Sequence, residues 1–178
     1  MALCIAQDED ADKVLAEDPF ALLTGMLLDQ QFPMERAFAG PAKILERFGS
    51  LDPAEIAAAD PEVFAEHCSR PPAVHRFPGS MAARIQALAA HVVEEYDGHA
   101  ERLWTGAASG KELLSRLQAL PGFGKQKAQI FVALLGKQLG VRPDGWQQAA
   151  GAYAEEGSFR SVADVVDGDA VERVRAFK

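Results

Sequence analysis

Apolar residues recur at helical spacing along almost the entire chain. The segment from Ser80 to about Tyr96 has an apolar side chain every three or four positions, and the segment from about Lys125 to Leu139 shows the same pattern. Pro19 to Gln30 is apolar on nearly all sides, which indicates a buried central helix. We find no segment with the period-two alternation that is typical of a half-buried strand. The pattern predicts an all-α protein.

Local signals at helix ends support this prediction. Asp52-Pro53 and Asp60-Pro61 each combine an N-capping aspartate with a proline in the first helical turn. Ser109 and Glu112 have the spacing of a capping box, and Ser80 caps the helix that follows a proline-rich loop. The predicted loop spans Arg70 to Ser80, and the remaining helices are predicted over Asp10 to Glu17, Pro33 to Ala39, Pro41 to Phe48, Pro53 to Ala58, Pro61 to Cys68, Ser109 to Ala119, Trp146 to Ala154, Ser161 to Val166 and Asp169 to Phe177.

The length and composition are those of a globular protein. With 178 residues, 48% of them hydrophobic, the chain can form one compact domain or two small lobes within the one chain. No apolar run approaches the roughly 20 residues that cross a bilayer, so we expect no membrane partner. The first nine residues lack the basic and apolar regions of a secretory signal. We therefore expect a cytoplasmic monomer.

The cysteines argue against a metal centre. Cys4 and Cys68 lie 64 positions apart, and the chain has no C-x-x-C pair and no clustered histidine ligands. Structural zinc sites and iron–sulfur clusters usually need four ligands. We predict two reduced thiols, no metal site, no iron–sulfur cluster and no organic cofactor.

The charge is unevenly distributed. The net charge of -8 argues at first against a nucleic-acid partner. Residues 1–20, however, contain six acids and one base, whereas residues 110–145 contain six bases and two acids. An acidic chain with one basic segment can still bind DNA locally.

A tight turn with two glycines joins two predicted helices at Leu120 to Gly124. Its proline ends the first helix, and its glycines permit unusual backbone angles and the close approach of another backbone. The following helix then presents free N–H groups and its positive end, which suits an anion such as a DNA phosphate. Lys125 and Lys127 lie beside this site. The alternative is that the turn is only a corner between helices.

The segment from Leu120 to Ala128, LPGFGKQKA, resembles the hairpin of the helix–hairpin–helix base-excision DNA glycosylases. This family follows the hairpin with a Gly/Pro-rich loop and an aspartate. Here the aspartate is Asp144, 20 residues after Gly124. The resemblance implies a two-lobed helical fold with the substrate cleft between the lobes. The central lobe would span residues 28–139, and residues 1–27 together with 140–178 would form the second lobe.

The resemblance also implies roles for individual residues. Asp144 would be catalytic, because a carboxylate stabilises the positive charge that builds on the sugar when a damaged or mispaired base is released from double-stranded DNA. Gln31, or failing that Gln30, would fill the gap left by the flipped base. The hairpin residues that would contact DNA are Gly122, Phe123, Gly124, Lys125 and Lys127. A monovalent cation at the hairpin is the one bound ion that the resemblance leaves open.

The sequence departs from the family at three points. Bifunctional members carry a catalytic lysine 18 residues before the aspartate, and that position here is Gln126. This difference implies a monofunctional glycosylase without β-lyase activity. The four-cysteine cluster that is frequent in the family is absent. Asp144 is followed by Gly145 and Trp146, where many members have a small hydroxyl residue and then His or Asn; Trp146 either stacks on a base or fills the core.

Other interpretations of these residues stay open. Asp144 is either catalytic or a local turn residue in Pro-Asp-Gly, where aspartate is common. Gln30 and Gln31 either contact DNA or are polar residues at a helix end. Arg70, His75 and Arg76 either reach DNA or lie in a solvated loop. The alternative function is a non-catalytic helix–hairpin–helix module that binds DNA or a protein.

Overall fold

Helices account for the regular structure of residues 3–177, the part of the chain that the computed structural model describes. In chain order they are α1 (Glu9–Glu17), α2 (Pro19–Leu28), α3 (Met34–Phe48), α4 (Pro53–Ala58), α5 (Pro61–Ser69), α6 (Pro78–Tyr96), α7 (Arg102–Thr105), α8 (Gly110–Gln118), α9 (Lys125–Gln138), α10 (Trp146–Ala150) and α11 (Gly168–Phe177), with 3-10 helices at Gly151–Ala154 and Val162–Asp164. No strand occurs within residues 3–177, which confirms the all-α prediction. None of these helices is both long and apolar enough to cross a membrane.

The central helix is α2, as its sequence predicts. Every residue from Phe20 to Leu28 is buried, because the helix is apolar on all sides and neighbouring helices cover it. The carboxylate of Asp18 caps its first turn. At Gly25 a Cβ would lie 2.4 Å from Cδ1 of Phe38, so α3 crosses α2 at a distance that only glycine permits.

The prediction of two helices between Pro33 and Phe48 is wrong, because α3 continues through Pro41. A proline inside a helix removes one N–H donor and crowds the preceding turn. Here Pro41 is buried, and a Cβ on the preceding Gly40 would lie 2.6 Å from Cδ1 of Leu28. Burial against α2 therefore offsets the local cost, so the proline does not mark a helix start.

Most predicted caps are present, with one exception. Asp52 and Asp60 accept hydrogen bonds from first-turn amides of α4 and α5. Ser109 accepts one from the third residue of α8 at 3.1 Å. Ser80, in contrast, lies inside α6, because Pro78 has a fixed φ that starts the helix two residues earlier.

Two of the three helices predicted after residue 145 are shorter in the structure, whereas the predicted helix from Asp169 to Phe177 is present as α11. The predicted helix from Trp146 to Ala154 divides at Gly151, whose φ of +62° ends α10 before a 3-10 turn follows. The predicted helix from Ser161 to Val166 is a single 3-10 turn. The short helix α7 was not predicted from the sequence.

An internal clamp holds the segment after α10 against α9. The ammonium of Lys137 lies 2.5 Å from a carboxylate oxygen of Asp164, and both side chains are largely buried. The side-chain amide nitrogen of Gln138 lies within hydrogen-bonding distance of three carbonyls in this segment, those of Val162, Ala163 and Val165. The end of α9 is therefore fixed to the chain around Asp164.

The two ends of the described chain come together over one continuous hydrophobic core. Cys4 Sγ contacts the carbonyl of Val165 at 3.6 Å, and Arg175 of α11 pairs with Glu35 of α3 at 2.6 Å. These contacts are compatible with a lobe built from both chain ends. The division into residues 28–139 and the remainder stays a prediction.

The proline-rich loop between α5 and α6 is held by Arg47 of α3. The guanidinium of Arg47 donates to the carbonyls of His67 at 2.9 Å, Arg70 at 2.8 Å and Pro72 at 2.7 Å. Val74 is completely buried beneath the loop. The loop therefore has a defined shape, and the exposure of Arg70 and Pro72 agrees with the solvated loop that its composition allowed.

Candidate DNA interface and active site

The hairpin between α8 and α9 is fixed from the inside by apolar side chains. Leu120 and Phe123 are buried, and the Phe123 ring packs edge-on against Phe131 at a centroid distance of 6.3 Å. The backbone N–H of Phe123 donates to the carbonyl of Leu120 at 3.1 Å. Gly122 has a φ of +82°, a conformation that other residues adopt only at a cost. Phe123 therefore supports the hairpin from within the core.

Gly124 is the N-cap of α9, and neither its backbone angles nor its neighbours in the protein require glycine at this position. Its φ of -87° suits any residue, and a Cβ added there would meet nothing within 4 Å. No side chain caps the helix, and the backbone bond from Ala128 to the Gly124 carbonyl is the first of the α9 pattern. The absence of a side chain thus leaves the first amides of α9 open to an outside anion.

The two lysines of the hairpin differ in position. Lys125 is exposed beside Gly124. Lys127 is half-buried, and its ammonium donates to the carbonyl of Leu27 at 3.1 Å and lies 3.4 Å from the side-chain oxygen of Gln30. The contact of both lysines with DNA stays a prediction, and the geometry favours Lys125.

Asp144 lies in a tight turn between α9 and α10. The N–H of Trp146 donates to the carbonyl of Pro143 at 3.0 Å, and Gly145 has φ +79° and ψ 13°, as in a type II β-turn. The N–H of Gly110, the first residue of α8, donates to the Asp144 carbonyl at 2.7 Å. A Cβ on Gly110 would lie 2.6 Å from the Gly145 backbone, so α8 packs directly on this turn.

The carboxylate of Asp144 is exposed and makes no hydrogen bond or ion pair within residues 3–177. The hydrogen bond by which aspartate often stabilises a turn, from its carboxylate to the backbone N–H two residues further on, is absent here. Only the backbone carbonyl of Asp144 is engaged. The backbone that carries the acidic group is therefore held in place, while the carboxylate oxygens stay available.

Gln126 contacts the segment that follows Asp144. Its amide nitrogen donates to the hydroxyl of Tyr153 at 2.9 Å, and one helical turn later Gln129 donates to the carbonyl of Ala149 at 3.2 Å. Tyr153 was missed by sequence reasoning, because a lone tyrosine in a polar stretch has no distinguishing pattern. The position of the family lysine is thus occupied by an exposed amide bonded to a phenol.

The two glutamines after α2 are also distinct. Gln31 is exposed and has a φ of +53°. Gln30 is half-buried, and its carbonyl lies 2.8 Å from Nε2 of His75. Of the two candidates for a DNA contact, only Gln31 presents its side chain to solvent.

A model of the family described as "HhH-GPD superfamily base excision DNA repair protein" matches residues 24–177. The matched region runs from within α2 to the end of α11 and contains the hairpin and Asp144. The chain belongs to the HhH-GPD superfamily. The resemblance read from the hairpin is confirmed. A comparison with the curated proteins finds no match.

Membership in the HhH-GPD superfamily fixes the general role. Its members are DNA glycosylases of base excision repair, and the family implies that this chain binds DNA.

The unusual Trp146 after the aspartate does not form part of the exposed site. It is buried, and a Cβ on Gly136 of α9 would lie 2.4 Å from its ring. Of the two interpretations of Trp146, the structure supports the core position.

His75 fits neither interpretation of the basic residues in the proline-rich loop, because it can neither reach DNA nor lie in solvent. Its side chain is buried, with only 2% of the residue exposed. Arg70 forms an ion pair with Glu66 at 2.8 Å, whereas Arg76 is exposed and lies over the ring of Phe77. Of the three loop residues with basic side chains, only Arg76 is presented to solvent without an ion pair in the described chain.

The cysteines are not redox-active groups of this site. Neither forms a disulfide, and burial raises the pKa of Cys68 to about 12. Burial also raises the pKa of Cys4. A thiol with a raised pKa is a poor nucleophile at neutral pH. Across residues 3–177 no three His, Cys, Asp or Glu side chains come together as metal ligands do.

Surface clefts do not coincide with Asp144. A cleft of about 280 Å³ borders Lys137, Arg142 and Asp164 on the C-terminal side of α9. This cleft and four others on the described surface are lined by neither Asp144 nor Gln126. The exposed carboxylate of Asp144 therefore borders none of these five clefts.

Proposed function

We propose that this protein is a monofunctional DNA glycosylase that hydrolyses the N-glycosidic bond of a damaged or mispaired base in double-stranded DNA. One observation carries the proposal. The Asp144 carboxylate is exposed and unbonded in the described chain, on a turn that a 2.7 Å hydrogen bond fixes to Gly110. A carboxylate that extends from a fixed backbone and has no structural partner is suited to charge stabilisation.

The chemistry follows from the charge that develops during base release. Departure of the base leaves positive charge on the sugar, and a carboxylate in contact with that sugar stabilises the charge. The same oxygens can orient a water molecule for attack or accept its proton. The nucleotide must first leave the base stack, at a cost of a few kcal/mol that a lesion reduces. We assign both the stabilisation of the sugar charge and the activation of water to Asp144.

The side chain of Gln126 argues against β-lyase activity. Lyase chemistry requires an amine that forms a Schiff base with the sugar, and an amide nitrogen is not nucleophilic in this way. Lys125 and Lys127 flank Gln126, but on a helix each neighbour points about 100° away. In addition, the ammonium of Lys127 is engaged by Leu27 and Gln30. We therefore assign simple hydrolysis.

The DNA backbone would be held at the start of α9. We assign phosphate binding to the uncapped amides next to Gly124, supported by the charge of Lys125. The hairpin also suits a monovalent cation, because the carbonyls of Pro121 and Gly122 accept none of the hydrogen bonds in the described chain and carbonyl oxygens are ligands of hard cations. We assign the base-gap contact to Gln31, because Gln31 is exposed whereas Gln30 is half-buried and contacts His75 and Lys127.

The decisive experiment is base release from a panel of lesion-bearing and mispaired duplexes, with alkaline cleavage of the resulting abasic sites. Wild-type protein should release a base from at least one duplex, and Asp144→Asn should bind the same DNA without releasing it. DNA binding with no release on any substrate would support the alternative, a non-catalytic helix–hairpin–helix module. Activity that survives Asp144→Asn would exclude our catalytic assignment.

A further inference from the structure

Two segments that are distant in sequence meet at one imidazole. His75 of the proline-rich loop contacts the backbone carbonyl of Gln30, 45 residues away, in the turn that follows α2. The His75 ring lies between the rings of Phe32 and Phe77, at centroid distances of 5.0 Å and 5.9 Å. The turn that carries Gln31 is thereby joined to the exposed loop tip at Phe77.

The hydrogen bonds of His75 define the protonation state of its ring. The backbone N–H of Phe77 donates to Nδ1 at 2.9 Å, so Nδ1 carries no proton. The Gln30 carbonyl, 2.8 Å from Nε2, can only accept, so Nε2 carries the proton. A neutral ring in this tautomer satisfies both contacts. An imidazolium ring would set an Nδ1 proton against the Phe77 N–H.

The surroundings also oppose a positive charge on the ring. Burial is the largest cause that lowers the pKa of His75 below its ordinary value of 6.5. The charged groups that face it are Lys127 of α9 and Arg84 of α6, and both lower this pKa further, whereas the bond to Gln30 raises it. The ring therefore stays neutral to lower pH than an exposed histidine does.

Lys127 holds the same turn from another side. Its ammonium donates to the Leu27 carbonyl in the last turn of α2, where the helix dipole favours a cation. It also lies 3.4 Å from the side-chain oxygen of Gln30. Gln30 is thus held through both its backbone and its side chain, which leaves Gln31 as the exposed residue of the turn.

We propose that His75 is a positioning residue whose neutral imidazole holds the Gln30–Gln31 turn and the Phe77 loop tip in one arrangement toward the lesion. This proposal rests on the proposed function, because it takes Gln31 to be a DNA contact. His75 touches neither Gly124 nor Lys125, so it should not affect binding to the DNA backbone. Recognition of the lesion is the property that His75 controls.

Two near-isosteric variants separate the contacts of the ring. His75→Gln places an amide N–H near Nε2 and keeps the donor to the Gln30 carbonyl, whereas His75→Asn places an oxygen near Nδ1 and keeps only the acceptor for Phe77. In the Asp144→Asn background, binding is compared between a duplex with a stable abasic-site analogue and the matching undamaged duplex. His75→Asn should lose roughly three- to tenfold of the preference for the abasic duplex, the size of one hydrogen bond.

The proposal also predicts the affinity for undamaged DNA and the behaviour of His75→Gln. Affinity for the undamaged duplex should not change in either variant, and His75→Gln should keep the preference for the abasic duplex. Loss of preference in neither variant, or loss of undamaged binding to the same extent, would overturn the proposal. A parent protein that prefers neither duplex would instead contradict the proposed function, and the next measurement then decides on His75 alone.

The pH dependence of the free protein tests the arrangement without any DNA. Because the folded-state pKa is lowered, the contribution of His75 to stability is complete above about 6.5 and declines as the pH falls from there to the folded-state pKa. Nitrogen NMR should show the proton on Nε2 at neutral pH. Protection of the Phe77 amide, which is the unprotected exchange rate divided by its observed rate at the same pH, should be high at neutral pH and should fall as the ring is protonated.

The His75→Asn variant provides the control for the exchange measurement. In His75→Asn the acceptor for Phe77 does not titrate, so protection of the Phe77 amide relative to the unprotected rate should persist at acid pH. A wild-type ring that carries its proton on Nδ1, or that titrates at or above the ordinary value, would show that His75 does not have the positioning role. That result would leave the assignment of Asp144 untouched.

Discussion

The backbone N–H of Gly110 donates to the carbonyl of Asp144 at 2.7 Å, so the first helix of the hairpin motif begins on the turn that carries the candidate catalytic group. The hairpin motif and the backbone of Asp144 are therefore directly connected. A phosphate bound at the start of α9 would be placed at a set distance from Asp144 without any loop movement.

Gly110→Ala should impair base release through this contact. The new Cβ would lie 2.6 Å from the backbone of Gly145 and Trp146, and backbone cannot yield as a flexible side chain does. We expect a loss of about 1–3 kcal/mol in the free energy of unfolding, measured in urea, together with reduced single-turnover base release. Gly79→Ala is the matched control, because a Cβ there meets nothing within 4 Å.

Gly124→Ser should separate stability from DNA binding. Serine is as good an N-cap as glycine or better by a few tenths of a kcal/mol, so the free energy of unfolding should stay constant or rise slightly. The added Oγ would occupy the open amides of α9, so affinity for DNA of any sequence should fall. Unchanged affinity in filter-binding or anisotropy titrations would mean that the hairpin is only a corner.

Gly122→Ala is the contrasting variant. Its φ of +82° costs an L-residue about 1 kcal/mol, and its Cβ would meet Leu27 Cδ1 at 2.4 Å. This change should lower the free energy of unfolding, whereas Gly124→Ser should not.

Gln126→Lys should introduce an amine at the position that bifunctional family members use. We expect a covalent adduct with abasic-site DNA that borohydride traps, detected as a shifted band after denaturing electrophoresis. The wild-type protein and Gln126→Met should give no adduct. An adduct in the wild type would implicate Lys125 or Lys127 and contradict the monofunctional assignment.

The Lys137–Asp164 pair should contribute strongly to stability. Lys137→Met would leave the largely buried carboxylate of Asp164 without its counter-ion, for which a loss of about 3 kcal/mol is typical. Lys137→Met combined with Asp164→Asn should recover part of this loss in urea unfolding. Arg102→Met, at the exposed pair with Asp97, should change stability by less than about 1 kcal/mol. Equal effects of both single variants would contradict a buried pair.

Sequence predicted the features that depend on neighbours along the chain. The caps at Asp52 and Asp60 and the hairpin follow from residues within a few positions of one another, and the structure has them. Pro41 misled the prediction because a local rule competes there with burial against α2. The buried position of Trp146 depends on Gly136 in another helix, a pairing that no local pattern reveals.

The supporting contacts of the candidate site were outside the reach of sequence reasoning. Lys127 and Gln30 are 97 residues apart, and His75 and Gln30 are 45 residues apart, so each contact depends on the packing of whole helices. From the sequence, Lys127 looks like a surface charge and His75 like a loop residue. The sequence shows which residue types are present, but only the folded structure shows which residues they contact.

The clamp around Asp164 has a practical consequence for the handling of this protein. The chain after α10 is attached to α9 by an ion pair and by the amide of Gln138, and neither contact involves sulfur or a metal ion. Reducing agents and chelators should leave this attachment intact. Oxidants that attack thiols would likewise find no target in the clamp itself, and the thiol that they could reach beside this segment is Cys4, which contacts the Val165 carbonyl.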